Sequence, residues 1–291
     1  MSSISLPYYV DPRELPCSIP TRDQIESSNN VLVDQTSRKV VVVSEHFVVK
    51  YGSAIDLFEG ENMVYLYENS IPVPKIYALF EEYGVKYIVM ERIFGDNLLT
   101  LWPALSQSQK ETITNKLKVI WNNLRSLPSP GRFCSLGNRP LQDAIFWMDS
   151  SKLPINGPFT SETELNEAIV KKFFSYDLSE HKAAFYQRAF PYVLQGHPPV
   201  FTQGDFQRKN IIVSKMAVKD GENNRDVEGN LEVFVVDWET SGWYPSYWEY
   251  SKAMFACGRW DDDWNFWLGK IMDEHFTEWA WVDMVMRECW S

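Results

Sequence analysis

Between Lys39 and Arg92 the chain repeats short β-branched and aromatic runs broken by turn residues, with one helical stretch in the middle. KVVVV (39–43) and FVVK (47–50), joined at Ser44-Glu45-His46, predict a hairpin. A helix is expected over about 55–69, because prolines at 72 and 74 force extended backbone in IPVP. KIYALFEE and KYIVMER supply two further strands, about 75–82 and 86–92, around Tyr83-Gly84. Consecutive strands with tight turns must pair antiparallel and bury one face, so a small β-rich unit carrying one helix is expected here.

The flanks have a different texture. Residues 1–24 hold Pro7, Pro12, Pro16 and Pro20 and read as an extended arm with one short turn. Beyond Phe94-Gly95-Asp96 the pattern becomes helical. Ser108 and Glu111 have capping-box spacing, and Ile113, Leu117, Ile120, Leu124 and Leu127 recur at helical intervals. Helices are also expected at 162–177 and 183–194, and from Tyr247 onward, where most of the tryptophans serve as core packing. NIIVS (210–214) and LEVFVVDW (231–238) read as a second hairpin, with the polar stretch 219–230 as an exposed tip. The domain expectation is an arm over 1–24, a small lobe over 25–93 and a larger, mainly helical lobe over 94–291.

With 45% apolar residues, the 291-residue chain can bury a large core. Its net charge of −11 argues against nucleic acid or an anionic membrane as partner. That balance suits a cationic small substrate, although plain solubility is the simpler cause. No signal peptide, membrane span or CxxC pair is visible, and scattered cysteines fit buried thiols in a reducing compartment, so a soluble cytoplasmic protein is expected. The four histidines show no metal-ligand spacing and read as structural.

Four polar positions carry the chemistry. Asp205 and Asn210, five apart in FTQGDFQRKNIIV, precede an apolar run that anchors their loop. An aspartate there can orient a hydroxyl and an asparagine can offer an amide oxygen to Mg²⁺, although the same pattern fits a turn with a helix cap. Asp237 ends the strand LEVFVV, where a carboxylate needs a partner such as a metal or a basic side chain. If 210–214 pairs with 232–236, Asn210 and Asp237 stand at the same end of the ladder. Lys50 lies in a strand of valines and is either an edge charge or the partner of a buried acid. Glu59 shares the apolar stripe of Ile55, Met63 and Leu66 and is the preferred partner, with Glu61 second.

A strand lysine, a helix glutamate, D-x4-N and a strand-end DW in this order resemble the aminoglycoside phosphotransferase/choline kinase-like family, in particular its fungal branch. The matching stretches are VVKYG (48–52), EGENMVYLYENSIPVPKIYALF (59–80), YIVMERIFGDNL (87–98), QGDFQRKNIIV (203–213) and VVDWETSGWYPSYWEY (235–250). The resemblance implies an α+β, bilobal protein-kinase-like fold with ATP between a β-rich N-lobe and a helical C-lobe. It implies that Lys50 contacts ATP phosphates and Glu59 holds Lys50. Backbone groups around Glu91, Arg92 and Ile93 would hold adenine, Asp205 would be the catalytic base, and Asn210 with Asp237 would bind Mg²⁺. The expected activity is phosphoryl transfer to a hydroxyl of a small, cationic or neutral, metabolite. The chain departs from the family in writing Gln203 where a histidine usually precedes Gly-Asp, and in having only the polar turn DQTSRK (34–39) before Lys50. Both departures suit the alternative of a pseudokinase that serves as a nucleotide-binding regulator or scaffold.

Overall fold

The computed structural model describes residues 4–148, 154–175, 179–215, 231–258 and 260–289. In chain order it contains β1 (Tyr8–Tyr9), α1 (Arg22–Glu26), β2 (Val31–Gln35), β3 (Arg38–Val43), β4 (Phe47–Gly52), α2 (Phe58–Glu68), β5 (Ile76–Glu82), β6 (Val85–Glu91), β7 (Asp96–Asn97) and α3 (Leu98–Leu101). There follow α4 (Gln107–Arg125), α5 (Glu162–Ser175), α6 (Glu180–Val193), β8 (Pro199–Thr202), β9 (Ile211–Lys215), β10 (Leu231–Val235), β11 (Gly242–Pro245), α7 (Trp248–Phe255), α8 (Trp264–Ile271) and α9 (Phe276–Cys289). The expected tip at 219–230 lies outside the described residues. Among those described, no helix is long and apolar enough to cross a membrane.

The chain divides into two compact units, one of residues 1–101 and 211–239, the other of residues 102–210 and 240–291. The first is built on a six-stranded sheet in the order β1-β5-β6-β4-β3-β2. The alternation of β-branched residues sets its register. Val41, Val49 and Val89 meet across β3, β4 and β6, and all three are buried with Phe47, Tyr77 and Tyr87 on one face. The proline-bearing arm is less isolated than its composition suggests, since Tyr8 and Tyr9 pair with Leu79 and Ala78. Proline excludes a helix but not a two-residue edge strand. A second sheet, β10-β9-β7, completes this unit, with β9 and β10 in register from Lys215–Leu231 to Ile211–Val235.

The other unit is mainly helical. Its core gathers Phe133, Phe146, Leu165, Phe173, Tyr186, Tyr244, Trp248 and Val285, which come from four helices and the segments between them. The α4 cap is Ser106 with Gln109, not Ser108 with Glu111. Ser106 Oγ accepts the Gln109 N–H and the Gln109 side chain accepts the Ser106 N–H, so both halves of the capping box are made two residues earlier. None of the four cysteines forms a disulfide; Cys17 is exposed and Cys134 is buried. Of the C-terminal tryptophans, Trp248, Trp264 and Trp267 are buried while Trp260 is exposed.

Candidate active site

In the first unit the site is organised by Lys50. On β4 it stands opposite Val40 of β3 and Ile88 of β6, so it is a central-strand residue rather than an edge charge. It is only 6% exposed. A buried ammonium is costly unless anions surround it. Its Nζ lies 2.5 Å from Glu59 Oε2, 3.0 Å from Asp237 Oδ1 and 3.2 Å from Glu239 Oε2. Glu59 comes from the first turn of α2 and is itself buried, as is Glu61. Burial pulls Lys50 toward neutrality, but the three carboxylates outweigh it and hold its pKa above the ordinary value. For Glu59, burial dominates over the attraction of Lys50 and pushes the carboxyl up to about 7. Both directions follow from crowding three acids about one ammonium.

The backbone that delivers Asp237 and Glu239 is fixed by its neighbours. Trp238 is fully buried, its Nε1 donates to the Val235 carbonyl at 2.9 Å, and its own carbonyl accepts Asn62 Nδ2 at 3.1 Å. Asp237 sits at φ 63°, a left-handed conformation uncommon outside glycine and costly enough to need such anchoring. Arg38, at the start of β3, reaches Glu239 Oε2 at 3.1 Å. The polar turn before it packs on Gly52, where a Cβ would lie 2.1 Å from the Ser37 carbonyl. Glu59, Asp237 and Glu239 each present a carboxylate oxygen, all within 4.8 Å of one another. Hard oxygen donors of this kind suit Mg²⁺.

At the end of β6, the Glu91 and Arg92 N–H groups donate to Lys75 and His46 carbonyls at 2.8 and 2.9 Å. Ile93 follows as the second residue beyond the strand.

The second unit holds the Asp205 loop. β8 leads into Gln203 and Gly204, whose backbone N–H groups donate to Glu249 at 2.6 and 2.9 Å. Glu249 lies on α7 and is fully buried. Burial raises its carboxyl to about 6, against the pull of Arg125 and the two N–H groups. Arg125 is likewise drawn down to about 10 by burial, with Glu249 and Asp273 opposing that shift. Gly204 has φ +88°, and a Cβ there would lie 2.6 Å from Thr240 Oγ1, so glycine is required. Thr240 Oγ1 in turn donates to the Gln203 carbonyl at 3.0 Å.

Gln203 itself is fully buried, and its Oε1 accepts the Asp205 N–H at 2.7 Å. The glutamine thus supplies a side-chain acceptor to the loop backbone. The Asp205 carboxylate is held from both oxygens: Gln207 donates to Oδ1, while Asn210 Nδ2 at 2.8 Å and Lys209 Nζ at 3.2 Å meet Oδ2. Asn210 Nδ2 also donates to the Asp205 carbonyl at 3.0 Å, which leaves its Oδ1 as the atom a metal would take. Further along, two acids of the Asp261–Asp263 run are engaged by basic and tryptophan side chains. Asp262 pairs with Arg208 at 2.7 Å, and Asp263 accepts Lys110, Trp102 and Trp267.

Reasoning from sequence did not single out Arg38, Glu239, Gln207, Arg125 or Glu249. Glu239 carried a signal, being a second acid two residues after Asp237. Gln207 bonds Asp205 only two residues away, and the other three act through partners remote in the chain.

The antiparallel N-terminal sheet, the helical remainder and this polar constellation define a protein-kinase-like α+β protein. Residues 22–283 match the phosphotransferase enzyme family, and the chain belongs to that family. Among solved structures, an ADP-bound aminoglycoside phosphotransferase, APH(2'')-Ib, is similar at 13% identity over 91% of this chain and 83% of that one, with a TM-score of 0.54. Aminoglycoside phosphotransferase APH(3'')-Id from Streptomyces rimosus is similar at 15% identity over 91% of this chain and 94% of that one, TM-score 0.53. A choline/ethanolamine kinase family protein from Mesorhizobium loti follows at 13% identity, 88% and 74% coverage and TM-score 0.50. At such identities the likeness is one of fold. No curated protein matches the sequence.

Proposed function

We propose that this chain transfers the terminal phosphoryl group of ATP to a hydroxyl of a small molecule. The observation that carries the reading is the buried Lys50 ammonium held between Glu59 and Asp237, because a strand lysine paired with a helix glutamate beside a strand-end aspartate is the arrangement that phosphoryl transfer on a kinase-like fold uses. An ADP-bound relative of the same fold, and relatives named for aminoglycosides and for choline or ethanolamine, support nucleotide use and a small acceptor.

In this reading Lys50 holds phosphate oxygens and Glu59 holds Lys50. Glu91 and Arg92 spend their N–H groups within the first unit, so the amide of Ile93 is the donor offered to adenine. Asn210 Oδ1 and the Asp237 carboxylate hold Mg²⁺, which supplies charge neutralisation across the phosphates when bound. Asp205, fixed by Gln207 and Asn210, accepts the acceptor's hydroxyl proton and aims its oxygen. Gln203 takes over the supporting hydrogen bond that the family's histidine makes in this loop, which favours turnover over a pseudokinase.

The test is thermal stabilisation by ATP with MgCl₂, followed by transfer of labelled phosphate to a panel of amino-alcohols, sugars and aminoglycosides. Nucleotide at 100 times its Kd adds about 2.7 kcal/mol. Asp205→Ala is expected to abolish transfer and spare the thermal shift, whereas Asp237→Ala removes the Mg²⁺-dependent part of the shift. A wild-type chain that is not stabilised by millimolar Mg·ATP overturns the reading.

A further inference from the structure

The second unit contains a histidine and carboxylate cluster that the phosphotransfer chemistry does not use. His197 precedes β8. Its backbone N–H donates to Glu162 Oε2 at 2.9 Å and its Nδ1 lies 2.7 Å from Glu162 Oε1. Glu162, the first residue of α5, therefore grips the same residue twice and fixes the ring with a proton on Nδ1. The opposite nitrogen, Nε2, faces Glu278 Oε1 at 3.2 Å. Glu278, in the first turn of α9, turns its other oxygen toward His275 Nδ1 at 3.8 Å. The two imidazole centroids are 6.2 Å apart. One donor atom from each of His197, His275 and Glu278 falls within a common 4.8 Å.

With Nδ1–H given to Glu162, the Nε2 lone pair and the Glu278 carboxylate confront each other unless a cation lies between them. A proton on Nε2 would satisfy that pair, but it would leave His275 Nδ1 beyond hydrogen-bond reach of the acid it faces. A single metal ion accounts for all three donors. From these distances we infer that His197, His275 and Glu278 form a binding site for Zn²⁺ or a similar first-row transition-metal ion, with Glu162 orienting His197 from behind.

Two imidazoles and a carboxylate are borderline donors that favour Zn²⁺ over the all-oxygen preference of Mg²⁺ or Ca²⁺. A carboxylate behind a ligating histidine is the usual outer support of such sites. Donors at zinc distances of about 2.0–2.2 Å lie roughly 3.4 Å apart, so closure asks for side-chain shifts of only about 1 Å. All four side chains are at least three-quarters buried, and Tyr247 packs its ring edge-on to His197 at 4.7 Å. The Tyr247 hydroxyl is buried with no hydrogen-bond partner among the described residues. Three protein ligands leave a fourth position for water. The site ties the starts of α5 and α9 to the strand that runs into Gln203 and Asp205.

The sequence conceals this arrangement because zinc motifs are read from close spacing, and here the ligands come from positions 197, 275 and 278, with the supporting carboxylate at 162. The test uses the full chain, stripped with chelator and titrated with Zn²⁺ by calorimetry and with Co²⁺ by visible absorption. The expected result is a single saturable equivalent with the intense visible bands of tetrahedral Co²⁺, and a Tm that rises with Zn²⁺. His275→Gln and Glu278→Gln should each weaken affinity by at least about 100-fold, and Glu162→Gln by about 10–100-fold. Circular dichroism checks that each variant folds, and the wild-type Co²⁺ spectrum decides the matter should any variant fail. Absence of saturable uptake by wild type, or uptake unchanged in folded Glu278→Gln, overturns the site; the latter would place the ion at stray ligands such as the exposed Cys17.

Discussion

At the scale of single residues, two side chains are asked to do more than their type suggests. Gln203 is buried, and its Oε1 is the acceptor for the Asp205 N–H. Gln203→Ala leaves that N–H without its side-chain acceptor, at a cost of about 1–3 kcal/mol. Small misplacement of a reacting group can cost on the order of 100-fold in rate. The expected outcome is therefore a kcat lower by about that factor with little change in the ATP-induced thermal shift, and substantial recovery in Gln203→His, whose ring nitrogen can accept the same bond. Steady-state kinetics beside thermal melts separate the two effects. Lys50 makes the complementary case. Lys50→Met strands Glu59 in the interior, and breaking such a pair costs about 3–5 kcal/mol, read by denaturant unfolding. Lys50→Met/Glu59→Leu should recover much of that stability, because the uncompensated buried charge is gone, yet remain unable to respond to ATP.

At the scale of elements, α7 fixes the candidate catalytic loop through one carboxylate. Glu249 titrates near 6 in the folded protein, against an ordinary 4.5. Between those values the folded chain keeps a proton that the unfolded chain has lost, so stability is full below about 4.5 and falls as pH rises through 6. The shift is worth on the order of 2 kcal/mol. Glu249→Gln has nothing to titrate, so the wild type should lose that much more stability than the variant between pH 4 and 7 in denaturant unfolding. Equal slopes would mean that folding does not shift the Glu249 carboxyl from its ordinary range. The same helix marks the limit of what the sequence discloses. β3, β4, β5, β6 and α4 are legible because repeating apolar residues declare their period. β1 is two residues long and takes its register from β5, so no local pattern announces it. The α4 cap is misplaced by two because SQSQKE satisfies the capping pattern at both serines. Lys50, Glu59 and Asp237 are readable because each stands in or at the end of an apolar pattern where its residue type is out of place, and Asp205 with Asn210 because their five-residue spacing leads into an apolar run. Glu249 also sits in an apolar setting, but its partners are 45 and 46 positions away, and only folding brings them to it.

At the scale of the whole molecule, charge sets a condition on any nucleotide. The chain carries a net −11, and four basic side chains at or beside the candidate residues are matched by acids. Lys50 is shared by three carboxylates, Arg38 pairs with Glu239, Lys209 with Asp205 and Arg208 with Asp262. A polyanionic triphosphate thus finds these four cations already engaged, and the acids gathered at Lys50 would repel it. A divalent cation resolves both problems, because it takes up Asp237 and Glu239 oxygens while neutralising phosphate. ATP affinity measured calorimetrically should accordingly weaken at least about tenfold when Mg²⁺ is removed with chelator, a change of about 1.4 kcal/mol. Salt should act opposite to its effect on phosphate-binding proteins with basic surfaces, whose affinity falls as ions screen attraction. Here added NaCl screens repulsion by the acidic chain, so the Mg·ATP affinity should hold or tighten as ionic strength rises. A steep loss of affinity with salt would mean that unmatched cations draw the nucleotide in, and that the acids about Lys50 serve only to hold the folded chain together.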